Sequence, residues 1–135
     1  MYYALLFATT LPLLDIFFIK WFTPAFEFSS WLSGWAIAAS VFQVACTLIP
    51  ETGGWRVKIH QLLAGLSALC LLPAAAIIAL GGTMELPVRL FSFACFGVML
   101  GVLFVVFRAQ YKQLLLLQIV YFGAFFLPIL AIAYL

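Results

Sequence analysis

Charge is what this chain lacks. Ten of its 135 residues are charged, six Lys or Arg and four Asp or Glu, while 68% are hydrophobic. A water-soluble domain carries about 25% charged and about 45–50% apolar residues. Here there is too little polar side chain to clothe a water-facing surface. That excludes a soluble enzyme, a nucleic-acid binder and a disordered tail, and leaves the lipid bilayer as the solvent. The net charge of +2 is too small to imply a polyanionic partner. Histidine occurs once, as His60, which excludes bis-histidine haem ligation and a His-rich metal centre within one chain; neither a metal nor a cofactor is expected. Cys46, Cys70 and Cys95 are odd in number and show no CxxC spacing. Each lies in an apolar run, where a small packed hydrophobe is expected. No nucleophile elbow, HExxH or acid pair is present, and no apolar run has a lysine near its middle that would form a Schiff base. The opening MYYALLFATT has no basic n-region, and no small-residue cleavage motif follows it. The N-terminal apolar run is therefore expected to stay in the mature protein.

What the chain has in abundance is apolar length. A span needs about 20 mostly apolar residues at about 1.5 Å each. Five segments qualify, at about 3–22, 31–50, 59–80, 87–107 and 113–134. The breaks between them, TPAFEFSS, ETGGWRVK, GGTMEL and RAQYK, carry Gly, Pro and seven of the ten charged residues. Pro50 and Pro87 sit at span ends, where a missing N–H costs least; Pro12, Pro73 and Pro128 lie inside spans and predict kinks. A β-barrel fails on pattern, because runs such as LLPAAAIIAL are apolar on successive residues rather than alternating. The expected fold is all-α: a single domain over 1–135, one bundle of five transmembrane helices, multi-pass in the plasma (inner) membrane. Arg56, Lys58, Arg108 and Lys112 fall in the second and fourth loops, on the side of the N-terminus, against Lys20 and Arg89 opposite. That asymmetry favours a cytoplasmic N-terminus. Trp21, Trp31, Tyr111 and Tyr134 stand at span ends, as interfacial aromatic residues do.

Inside lipid the informative residues are polar, since each costs free energy unless it faces a partner. Asp15 is the one ionisable side chain deep in a span, roughly 10 Å from its outer end. Lys20 is about 140° around the helix from it, so Arg89 is the better candidate partner. Asp15 reads either as a proton or cation site or as a structural acid, protonated or paired with Arg89. Ala36, Ser40, Gln43 and Thr47 form one stripe on the second helix, and His60, Ala64, Ser67 and Ala74 a matching stripe on the third. Small and polar stripes on consecutive helices predict a close seam; the alternative is a polar crevice opening at the cytoplasmic interface. Gln43, Gln118, Glu51 and His60 converge on that side, with Arg56, Lys58, Arg108 and Lys112 around the edge. Such a cluster would bind a phospholipid headgroup, or activate a water with His60 as base and Glu51 as its orienter. Gly97 and Gly101 form a GxxxG groove in the fourth span, a packing surface for another helix of this chain or of a second copy.

One resemblance follows from these residues. Ile49-Pro50-Glu51-Thr52, a short loop, and Ile59-His60 opening the helix HQLLAGLSALCLLPAAAIIA resemble the prokaryotic membrane family catalogued as domain of unknown function 998, over roughly 31–135. Its members carry a similar Phe-Pro-acid loop followed by a His at the start of the next helix; Ile49 stands here where the aromatic residue is usual. The resemblance implies no established chemistry and points to Pro50, Glu51 and His60 as the positions of interest. The leading functional expectation is a non-enzymatic module that self-associates and binds membrane lipids or another membrane protein. The alternatives are a homo-oligomeric transporter or channel built around Asp15, and a lipid-directed interfacial enzyme using Glu51 and His60. No nucleic-acid partner is expected.

Overall fold

The computed structural model describes residues 2–49, 52–81, 84–109 and 114–134. Among them there is no strand; the order is α1 (Tyr2–Phe17), α2 (Ser29–Leu48), α3 (Trp55–Leu80), α4 (Leu86–Ala109) and α5 (Leu114–Tyr134). Four helices are long and apolar enough to cross a membrane: Ser29–Leu48, Trp55–Leu80, Leu86–Arg108 and Leu116–Tyr134. Large apolar side chains stand exposed along them, including Val41 on α2, Leu62 on α3, Phe104 on α4 and Ile119 on α5. These features are those of a multi-pass membrane protein, whose outer surface meets hydrocarbon rather than water.

The expected first span, 3–22, is where the fold departs most from expectation. It is α-helical only through Phe17, 16 residues or about 24 Å, and then changes winding. A π turn runs over Phe18–Phe22 and a single 3₁₀ turn over Thr23–Ala25. The cause is Pro24, which has no N–H to offer and so ends any regular ladder at this point. A second difference is at α3, which begins at Trp55 rather than near residue 59. Gly53 (φ 98°) and Gly54 (φ 63°) complete the reversal in left-handed conformations that favour glycine. Arg56 and Lys58 then join the helix, which good helix formers with long aliphatic stems do readily.

The chain divides into two compact units, Met1–Ala74 and Ala75–Leu135, with the boundary inside α3 just after Pro73. In the first unit α2 is flanked by both its neighbours. Ser40 on α2 donates to Asp15 of α1 (2.8 Å), whereas the Ala39 carbonyl accepts from Ser67 of α3 (2.9 Å). Ser33, which faces Thr23 of the 3₁₀ turn, and Ser40, which faces α1, lie about 120° around α2 from the α3-facing positions Ala39 and Cys46. The core between these faces is made of Leu32, Ala36, Ala39, Ser67 and Ala74. Small residues dominate because lipid tails are as apolar as leucine, so helices gain by approaching closely rather than by hiding from solvent.

In the second unit α4 and α5 pack on one another. Ser92, Cys95, Met99 and Val102, at spacings of 3, 4 and 3, give α4 one buried face; Tyr121, Ala124 and Phe125 supply that of α5. Buried Ser92 returns its hydroxyl to the Val88 carbonyl of its own helix (2.9 Å).

Candidate functional site

The polar groups singled out in the apolar runs divide between the units, Asp15 and Gln43 in the first, Arg89 and Gln118 in the second. Asp15 is half-buried, and its partner in the structure is a hydroxyl. Ser40 belongs to the predicted α2 stripe but points to α1, because a carboxylate is the strongest acceptor within its reach. Thr47 of the same stripe turns back on its own helix, donating to the Val44 carbonyl (2.8 Å). Gln43 is half-buried on α2, and Gln118 is exposed on α5. Arg89 is half-buried in the first turn of α4, with its backbone N–H on the Glu85 carbonyl (3.1 Å).

The His60 ring is engaged on both sides. Nδ1 lies 2.9 Å from the Ile49 carbonyl, which only accepts, so Nδ1 carries the hydrogen. In the neutral ring Nε2 is then an acceptor, and it lies 3.4 Å from the Cys46 sulfur. The thiol hydrogen has a second acceptor at 3.4 Å, the His60 carbonyl oxygen. His60 thus closes the α2–α3 hairpin, satisfying a carbonyl just past the end of α2 and taking up the Cys46 thiol, which is 2% exposed. Cys46 was expected only to pack. Its partnership with His60, fourteen residues on, appears once α2 and α3 are folded back on each other. Glu51, the expected orienter of His60, lies outside the described residues, as do Lys112 and Pro50, the remaining position to which the resemblance points.

Replacing His60 by alanine is expected to leave the Ile49 carbonyl without its donor and to lower stability by about 1–3 kcal/mol. Thermal unfolding in detergent measures that loss, and mass-mapped maleimide labelling should find Cys46 reacting faster. An unchanged melting point with unchanged labelling would remove the clasp from the account.

Arg56, Lys58 and Arg108 are exposed, and the two arginines rest on aromatic rings. Arg56 lies over Trp55 (5.9 Å) and also reaches the Thr52 hydroxyl (3.5 Å), while Arg108 lies over Phe104 (5.5 Å). Lys58 is exposed in the first turns of α3. Such pairs keep a cation beside an aromatic ring, an arrangement suited to a headgroup boundary. On α4, Gly97 and Gly101 are both exposed, and a Cβ at either would meet nothing within 4 Å. Their groove is therefore open along α4. A second open surface is a shallow groove of about 450 Å³ on α2, lined by Ser30, Trp31, Gly34, Trp35 and Ala38.

Two further residues of the first unit carry polar bonds that spacing alone does not announce. Thr23 is 2% exposed and donates to the Ile19 carbonyl (2.8 Å), and Ser33 donates to Thr23 (3.1 Å). The Thr23-Pro24 pair marks a helix end in the sequence, but the partnership with Ser33 depends on how the chain turns afterwards. Set against models of known protein families, curated proteins and solved structures, the chain matches none of them.

Proposed function

We propose that this protein is a non-enzymatic, self-associating module of the plasma (inner) membrane that binds membrane lipids or another membrane protein. In this reading α1 continues through its π turn as a fifth span, and the N-terminus is cytoplasmic. Membership of the domain of unknown function 998 family is part of the same proposal.

The observation that carries it is the open Gly97–Gly101 groove. A GxxxG surface lets two backbones approach closely, and among the described residues nothing lies within 4 Å of a Cβ placed on either glycine. The internal polar groups support it from the other direction. Asp15, Ser67 and His60 serve helix–helix bonds, and His60 has neither ring nitrogen idle for general-base work. The cation–aromatic pairs at Arg56 and Arg108 supply headgroup contacts where spans end.

Native mass spectrometry of the full chain, released from lipid nanodiscs, tests the proposal. The expected spectrum shows dimers or larger assemblies carrying phospholipid. A lipid-free monomer at every concentration would overturn it.

A further inference from the structure

A buried threonine next to a change in helix winding has a specific use. The Thr23 N–H donates to the Phe18 carbonyl, a span of five residues rather than the four of an α-helix. That leaves the next carbonyl, Ile19, without a backbone donor from either pattern. Its α partner is the Thr23 N–H, already used, and its π partner would be residue 24, a proline. The Thr23 hydroxyl fills the gap at 2.8 Å, and Ser33 holds that hydroxyl in turn at 3.1 Å. One residue thereby satisfies two successive carbonyls.

The same N–H has a second choice open to it. Moved from Phe18 to Ile19, it restores the α register, while Phe18 accepts from Phe22 as in any α-helix. The Thr23 N–H has one carbonyl partner in either register, and only the hydroxyl bond to Ile19 becomes redundant. Removing the extra residue from the π turn rotates everything N-terminal to it by about 100° and shifts it by about 1.5 Å. Thr23 stays anchored on Ser33 of α2. Asp15 does not stay. It sits on the far side of the π turn, with its Oδ1 2.8 Å from Ser40, two helical turns along α2 from Ser33. A rotation of that size carries the carboxyl off Ser40.

We propose that Thr23 is the pivot of a register switch in α1, which seats Asp15 on Ser40 in one state and turns it toward a different face of the helix in the other. The switch goes beyond self-association and does not depend on it. Its consequence is that the one carboxyl in this apolar segment is held by a hydroxyl or released to another partner, such as a cation or a proton donor.

Asp15 is the only aspartate in the sequence, so aspartate labelled with ¹³C at Cγ reports a single carboxyl in the full chain. The measurement compares wild type, Ser40→Ala, Thr23→Val and Thr23→Ser in lipid nanodiscs. Ser40→Ala defines the resonance of the carboxyl without its hydroxyl partner. Thr23→Val, eight residues from the label, is expected to move the Asp15 resonance to the Ser40→Ala position, and Thr23→Ser to leave it at the wild-type position. An unmoved resonance in Thr23→Val overturns the proposal. Should Thr23→Val fail to fold, by elution and helical circular dichroism, Ser33→Ala decides. Two resonances are expected from it, and a single unmoved one overturns the switch.

Discussion

Asp15→Leu is expected to strengthen the membrane insertion of the first helical segment by about 2–3 kcal/mol. At the middle of a span an aspartate costs about 2.5–3.5 kcal/mol and a leucine contributes about −0.3 to −0.6. These figures differ by about 2.8–4.1 kcal/mol at the middle; Asp15 lies off it, where its cost is smaller, which lowers the change to about 2–3 kcal/mol. Against this gain stands the bond to Ser40, and interhelical side-chain bonds in lipid average only about 0.6 kcal/mol. Ser40 also has a fallback, since its hydroxyl can return to a carbonyl one turn back, as Thr9, Thr10 and Ser92 do. Insertion should therefore improve more than packing suffers. Glycosylation-site mapping of the segment in a host protein reads the change directly. Equal insertion of the aspartate and leucine forms would place the segment outside the hydrocarbon and leave four spans.

The second large effect is expected at α4. Gly97→Leu combined with Gly101→Leu fills the groove and drives a docked helix out toward the roughly 8–10 Å spacing of ordinary packing. Both positions face open space, so the fold of the single chain should be untouched. Self-association is expected to weaken at least about tenfold, or about 1.4 kcal/mol. Fluorescence transfer between labelled copies, diluted progressively in lipid, measures it. Leu127→Ala, exposed on α5, serves as the control. Undiminished transfer in the double variant would mean that α4 is not the contact.

The course of α2 through α5 was legible because one property, apolar run length, decides it in lipid, and the end signals were ordinary. Gly53–Gly54 closed one turn, and a proline opened α4. Partners were harder. Ser40 was correctly placed on a stripe, but α2 has neighbours on two sides, and periodicity does not say which one a stripe meets. The winding of residues 18–25 was hidden for a similar reason. Thr23-Pro24 announces an end without saying which carbonyls are stranded or what rescues them, and Ser33 does that only after the chain reverses. Cys46 looked inert because a buried thiol normally is; His60 gave it a partner across the hairpin. The GxxxG groove was visible as a motif, and its being unfilled required the packed α4–α5 pair.

The bonds that join helices in the first unit have a consequence for how the protein is made. They link positions 10, 11, 14, 25 and 28 residues apart. Closures that short are fast compared with synthesis at about 5–20 residues per second. The hairpins Asp15–Ser40 and Cys46–His60 can each close as soon as their second helix leaves the insertion machinery, while α4 is still being translated. Assembly would then run in chain order, and a ribosome stalled after α3 would leave behind an already folded unit rather than an open chain.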